Sequence, residues 1–211
     1  MMPVACDEFT RLDGNYGFKL INAPLHPGWL VAAADWRSGE EHKARMLESA
    51  RIASIGAFVR ERDTGRVDVA PDGSPIVEYW PSEYDMKHLI RGLQESARIH
   101  FEAGADCLYF PGSRRFDTSL GKTKLESLLR EMPSWSWEPG NIFLLTAHQM
   151  GTCRMRGDDK RHPLTPEGRS REVPNLYVAD ASNFPTCSGA NPMPSIMHIA
   201  HFSAQGMKAE A

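Results

Sequence analysis

Ala57-Phe58-Val59, Val67-Asp68-Val69 and Ile76-Val77-Glu78-Tyr79, followed by Ser82-Glu83-Tyr84-Asp85-Met86, make up the stretch on which the fold class turns. β-Branched and aromatic runs separated by Asp63-Thr64-Gly65 and Asp72-Gly73 read as short strands joined by tight turns, an antiparallel meander over residues 55–79. Ser82 stands three residues before Asp85, an N-cap followed by an acidic first turn. Met86, Leu89, Ile90, Leu93, Ala97 and Phe101 then recur at helical spacing until Gly104, which predicts a helix over 82–104. A second helix is predicted over 122–132, where Leu125, Leu128, Leu129 and Met132 form one stripe and Pro133 ends it. A shorter one is predicted over 40–51, with Ala44 and Leu47 along one side. Working outward, the first forty residues are rich in Gly and Pro and read as irregular chain packed on something else. Trp135 and Trp137, between Pro133 and Pro139, read as a packed loop. Strands grouped apart from helices give an α+β pattern, an antiparallel sheet with helices on one side.

Composition narrows the possible partners. The 211 residues are 41% hydrophobic and 24% charged, an ordinary globular balance long enough for one large domain or two small ones. With 24 basic and 27 acidic residues, a net charge of −3 and no basic block, the sequence offers nothing for nucleic acid or an anionic membrane surface. Cys6, Cys107, Cys153 and Cys187 have no C-x-x-C spacing and no paired histidines at ligand intervals, so they read as reduced thiols rather than a metal site or a disulfide framework. No window approaches the ~20 consecutive apolar residues of a membrane span, and no secretory signal is visible at the start, which leaves a cytoplasmic location as the default expectation.

Chemistry is concentrated from Ala147 onward, in three short motifs. His148-Gln149-Met150-Gly151-Thr152-Cys153 follows the apolar run Ile142-Phe143-Leu144-Leu145. It reads either as a strand carrying a catalytic histidine to a tight turn or as an ordinary strand end with a structural histidine. Leu176-Tyr177-Val178-Ala179-Asp180 reads as a short apolar strand ending in an acid, which either organises polar groups of a cofactor or caps the following turn. Gly189-Ala190-Asn191-Pro192-Met193-Pro194 opens a helix whose first turn offers free backbone N–H groups and a partial positive charge, with the Asn191 amide just ahead of it. His198 and His201, on that last helix, read as packing or surface residues.

In this order and at these distances, HQMGTCRM, PNLYVADAS and GANPM resemble the C-terminal end of the glucose-methanol-choline (GMC) family of flavin oxidoreductases. Tyr79, Ser82, Tyr84 and Asp85 resemble the lead-in of the same family. Pro24-Leu25-His26-Pro27, the HQMGTCRM wording and Arg171-Glu172-Val173 are most similar to the long-chain fatty alcohol oxidases within it. The resemblance implies FAD as cofactor and oxidation of an alcohol CH–OH group by hydride transfer to the flavin. It casts His148 as the base that removes the hydroxyl proton and Asn191 as the amide that holds the same oxygen. Asp180 and Ala181 match positions along the cofactor's ribityl and phosphate portion, while Asn191, Pro192 and Met193 match positions at its ring end. The implied organisation is a substrate-binding portion over 1–145 and a C-terminal segment over 146–211 that completes the FAD site. A pocket lined by the sheet and the Trp135–Trp137 loop would suit an apolar alcohol.

Two departures accompany the match. No G-x-G-x-x-G lies between a strand and a helix, so the nucleotide-binding half of the family pattern is missing. Met155-Arg156-Gly157 inserts an arginine where the family has Met-Gly. The expectation is therefore the C-terminal portion of an FAD-dependent alcohol oxidase or dehydrogenase that is not autonomous. The alternative is a catalytically inactive fragment, or an interaction subunit that needs a separate flavin-binding chain.

Overall fold

The computed structural model describes residues 4–22, 26–28, 30, 36–112, 114–157 and 162–210. Pro24 and Leu25 of the subfamily motif lie outside them. Contacts divide the chain into two compact units, Met1–Val59 with Trp80–Leu145, and Arg60–Tyr79 with Thr146–Ala211. The class is α+β, built from three small antiparallel sheets and four α-helices among the described residues.

The first unit corrects the expectation that the N-terminal forty residues are irregular. Its sheet is ordered β1 (Ala5–Cys6), β2 (Phe18–Asn22) and β3 (Ile55–Val59), with β2 in the middle. Phe18, Leu20 and Ile21 are all buried. β2 is too short to show a period beside its Gly-rich surroundings, and its partner lies some forty residues away in sequence, pairing Phe18 with Val59 and Asn22 with Ile55. Phe9 stacks on Phe18 with centroids 4.9 Å apart, and its carbonyl accepts from Phe18 N–H at 2.9 Å, so the turn between β1 and β2 is itself packed. Helix α1 (Gly39–Leu47) is capped by the Ser38 hydroxyl, which accepts from Glu41 N–H.

Helix α2 (Glu83–Glu102) begins where the sequence places it: Ser82 Oγ accepts from Asp85 N–H at 3.2 Å. One face lies on β2 and β3, and the contact is closest at Gly92, where a Cβ would sit 2.4 Å from the Ala57 Cβ and 3.3 Å from the Phe18 ring. The remaining stripe, Met86, Ile90 and Ala97, packs with Leu108, Phe110 and Phe116 of the hairpin β6 (Cys107–Phe110) and β7 (Arg114–Asp117). Leu125, Leu129 and Met132, from α3 (Lys122–Glu131) and the turn after it, complete this core at 1% exposure or less. Each contributes roughly 1.5–3 kcal/mol by burial. The two tryptophans join the same core. Their rings stack at 6.1 Å, Trp135 meets Phe110 edge-on and carries the Arg114 guanidinium at 4.3 Å, and Trp137 Nε1 donates to the Met132 carbonyl. Both indoles are thus engaged in packing.

The expected three-run meander is also corrected. β3 pairs with β2, while β4 (Arg66–Val69) and β5 (Pro75–Glu78) form a separate hairpin in the second unit, with Arg66 opposite Glu78 and Val69 opposite Pro75. The turn was legible: Asp72 Oδ1 accepts from Ser74 N–H, and Ala70 N–H donates to the Ser74 carbonyl. Alternation along a strand fixes which face is apolar but not which strand lies beside it. The rest of the second unit has little regular structure before α4 (Met193–Glu210). No helix among the described residues is long and apolar enough to cross a membrane.

Two outcomes test this packing. Gly92→Ala should lower the thermal midpoint of the first unit, at a cost of about 1–3 kcal/mol from overpacking, although alanine is the better helix former by ~1 kcal/mol. A midpoint that rises would show that α2 does not approach β3 this closely. Arg98 grips Glu126 at 2.8 Å through both Nε and Nη2, and this hydrogen bonding holds the Glu126 carboxyl below its usual range, opposed by burial. A depressed folded pKa contributes stability above the ordinary carboxylate pKa that is lost as pH falls through the folded value. The difference in midpoint between wild type and Glu126→Gln, followed by circular dichroism, should therefore be present at neutral pH and close below about pH 4.

Candidate functional site

The first two motifs are joined by their backbones. Gly151 N–H donates to the Ala181 carbonyl at 3.4 Å, Cys153 N–H to Ser182 at 3.0 Å and Met155 N–H to Asn183 at 3.1 Å. HQMGTCRM therefore runs beside the end of the Leu176–Asn183 segment as an irregular ladder. Arg154 Nε donates to the Gly151 carbonyl at 3.0 Å and closes the turn. His148, half-buried, stands three residues ahead of the first of these bonds.

This arrangement corrects the source of His148's rigidity. The run Ile142-Phe143-Leu144-Leu145 is not a strand; a single bridge between Pro139 and Ile142 is its only ladder contact among the described residues, and the Phe143 and Leu145 side chains are about half exposed. The segment that follows the histidine is held by the bonds at 151–155. Four consecutive apolar residues without alternation did not separate a strand from an extended loop.

The second motif is extended, though only Tyr177 forms a bridge, to Arg169. Ser170 N–H donates to the Leu176 carbonyl at 2.8 Å and Val178 N–H to Gly168 at 2.9 Å, with Asn175 at φ 60° making the turn between the two arms. Of the two roles open to Asp180, the capping one is formed. Its Oδ1 accepts from Ser182 N–H at 2.8 Å and from the Ser182 hydroxyl, starting a 3₁₀ turn over Ala181–Asn183. The Ala181 carbonyl is taken by Gly151 N–H.

Sequence reasoning missed the residue that locks this corner. Asn183 is fully buried and its Nδ2 donates to the Val178 carbonyl at 2.7 Å. Gly168 lies against Ser203 of α4 so closely that a Cβ there would be 2.6 Å from Ser203 Oγ, 2.8 Å from the Val178 carbonyl and 3.5 Å from Asn183 Nδ2. Asn183 Oδ1 and Ser203 Oγ are buried with no hydrogen-bond partner among the described residues. Its sequence setting, Asp180-Ala181-Ser182-Asn183-Phe184-Pro185, mixes polar and turn-forming residues and does not announce burial.

The third motif enters α4 through Pro192, which is buried and whose carbonyl accepts from Ile196 N–H at 2.9 Å. Ile196, Ile199, Ala200 and Ser203 face inward, whereas Met193 and Met197 are 70% and 66% exposed. Asn191 is exposed just before the helix. His198 and His201 are exposed, the latter beside Gln205 at 3.0 Å, in line with a surface reading. All four cysteines are free thiols. Thus the structure ties the first motif directly to the second, and the second to the third through Gly168 and Ser203.

Comparison with known proteins adds the relationship. The family model described as GMC oxidoreductase matches residues 61–200. The long-chain-alcohol oxidase FAO4A of Arabidopsis thaliana is 32% identical over 89% of this chain and 26% of its own length. The long-chain-alcohol oxidase FAO1 of the same plant is 34% identical over 84% of this chain and 24% of its own length. The chain therefore spans about a quarter of the length of these relatives. The crystal structure of pyridoxine 4-oxidase from Mesorbium loti aligns at 19% identity with a TM-score of 0.48, covering 72% of this chain and 29% of that one. With its matching motifs and two-thirds of its length inside the family model, this chain belongs to the GMC oxidoreductase family.

Proposed function

We propose that this chain is the C-terminal, acid–base-bearing portion of an FAD-dependent oxidoreductase that converts a long-chain or otherwise apolar primary alcohol to its aldehyde. The observation that carries the reading is the ladder from 151–155 to 181–183, which holds the segment after His148 against the stretch matching the family's cofactor-lining positions. The alcohol oxidases among the relatives support the substrate class.

The chain's residues suit the ring end of a flavin. The first turn of α4 presents the Met193 N–H, with Pro192 and Pro194 having none to give, and the exposed Asn191 amide stands beside it. A bound flavin supplies a two-electron acceptor. Asp180 and Ala181 would lie along its ribityl and phosphate portion, Asp180 with its second carboxylate oxygen, since Oδ1 serves the cap. The adenine and pyrophosphate need a glycine loop, which the sequence lacks, so the nucleotide-binding residues come from elsewhere, in a longer polypeptide or a separate chain.

His148 accepts the hydroxyl proton as hydride leaves the carbinol carbon, so its ring must come within ~3 Å of the oxygen. Asn191 donates from its amide to the same oxygen and stabilises the negative charge that develops as the proton departs. The interaction-subunit reading is favoured by one observation, the missing glycine loop, and differs in its prediction: flavin association without turnover.

The test supplies the flavin-binding portion, in trans or as the longer polypeptide, and follows flavin absorbance while a long-chain primary alcohol is added anaerobically. Bleaching is expected, slowed about 10²–10⁴-fold by His148→Ala and about 10²–10³-fold by Asn191→Ala, with bound flavin retained in both. Flavin that binds but is never bleached by any primary alcohol would leave the interaction subunit as the function.

A further inference from the structure

Asn191 is useful only if its amide points to one place, yet it is exposed and precedes the helix. The contacts that hold its loop come from residues 60 and 61, which no motif singled out. Arg60 Nε donates to the Cys187 carbonyl at 3.2 Å. The Cys187 thiol donates to Glu61 Oε2 at 3.1 Å, and the Tyr79 hydroxyl donates to Oε1 of the same carboxylate at 3.3 Å. Gly189, at φ 65°, sits on the aliphatic stem of Arg60; a Cβ there would fall 2.8, 3.0 and 3.1 Å from the Arg60 Cβ, Cγ and Cδ. Ser188 closes the loop on itself, its hydroxyl donating to the Ala190 carbonyl at 2.7 Å while it accepts from Ala190 N–H at 3.3 Å. Asn191 follows directly, two residues from the Arg60 contact.

We infer that Arg60 and Glu61 are positioning residues: they clamp the loop 187–190 and thereby fix where Asn191 presents its amide at the head of α4. The inference deepens the proposed function and rests on it for the role of Asn191. Glu61 is the centre of the clamp because one carboxylate restrains two separate segments, the Tyr79 end of the β4–β5 hairpin and the Cys187 loop. The thiol behaves as a component of that clamp. Burial, then the neighbouring carboxylate, push its pKa up against an opposing contact from Gly189 N–H, so it stays protonated and able to donate. A raised folded pKa contributes stability in full below the ordinary thiol pKa and loses it as pH rises through the folded value, so the clamp is complete at neutral pH.

Glu61→Ala is compared with Glu61→Gln, and Cys187→Ala with Cys187→Ser, using amide hydrogen exchange of residues 188–191, the iodoacetamide reactivity of Cys187 in the Glu61 variants, and turnover in the flavin-loaded assembly. In Glu61→Ala and Cys187→Ala, exchange at Gly189 and Ala190 should rise about tenfold or more. The Gln and Ser replacements, which keep a polar group at the same reach, should restore most of the protection. Cys187 should alkylate faster in Glu61→Ala than in wild type. Turnover should fall by about 10- to 100-fold in kcat with KM within about twofold, the pattern of a misaligned group that acts in the transition state. Unchanged loop exchange in both alanine variants would overturn the clamp, whatever the activity. Loosened exchange with undiminished kcat would overturn the positioning role. If the wild-type assembly itself gives no turnover, the proposed function fails and the positioning role fails with it, while hydrogen exchange separately decides whether the clamp exists.

Discussion

Three backbone hydrogen bonds, from Gly151, Cys153 and Met155 to the carbonyls of Ala181, Ser182 and Asn183, are the constraint on which the second unit depends. Each has modest net worth, about 0.5–1.5 kcal/mol, yet together they fix the register between two segments thirty residues apart in sequence. The first two motifs are then placed relative to that register. His148 precedes it, Asp180 caps the turn that contains all three of its acceptors, and the Asn183 side chain locks the same turn to the extended segment before it. A register set by main-chain groups tolerates side-chain variation along its outer face, so a site can be held here with few side-chain contacts.

The ladder is anchored in turn by dense packing at the Thr165–Gly168 turn. Gly168 approaches Ser203 and the Val178 carbonyl so closely that any side chain would displace one of them, and the two buried polar groups beside it, Asn183 Oδ1 and Ser203 Oγ, have no partner among the described residues. An unpaired buried oxygen costs about 1–3 kcal/mol. The corner bears that cost where helix, turn and extended segment meet, and where the inward face of α4 also packs. Met193, Met197 and Phe202 stay exposed on the flanks of its outward side.

What was legible in the sequence follows from the range of each interaction. Ser82 and the stripe from Met86 to Phe101 depend on residues three and four apart, so the helix appears where the periodicity puts it. The hairpin turn around Asp72 and Gly73 is local as well, and it forms. β2 was hidden because its pairing partner lies far along the chain, and a five-residue strand beside Gly17 has too few positions to declare a period. The extended segment before His148 was misread for the complementary reason: four apolar residues in a row satisfy strand, buried helix and loop alike. At the site, motif residues could be named from resemblance. Arg60, Glu61, Asn183 and Ser203 could not, because their roles exist only in contacts across more than a hundred residues or between an irregular turn and a helix face.

That division has a consequence for how the two proposed catalytic side chains are controlled. The segment after His148 is held by main-chain bonds at Gly151, Cys153 and Met155. Asn191 takes its position from side chains: the stem of Arg60, the carboxylate of Glu61 and a thiol kept protonated by burial. In the proposed site, the segment after His148 is thus fixed by backbone and the loop before Asn191 by side chains. Changes in the clamp would alter how the alcohol oxygen is held without moving the group that removes its proton. If His148 and Asn191 have the proposed roles, such a division would let the amide be retuned through residues 60, 61 and 187 while the segment after His148 is left in place.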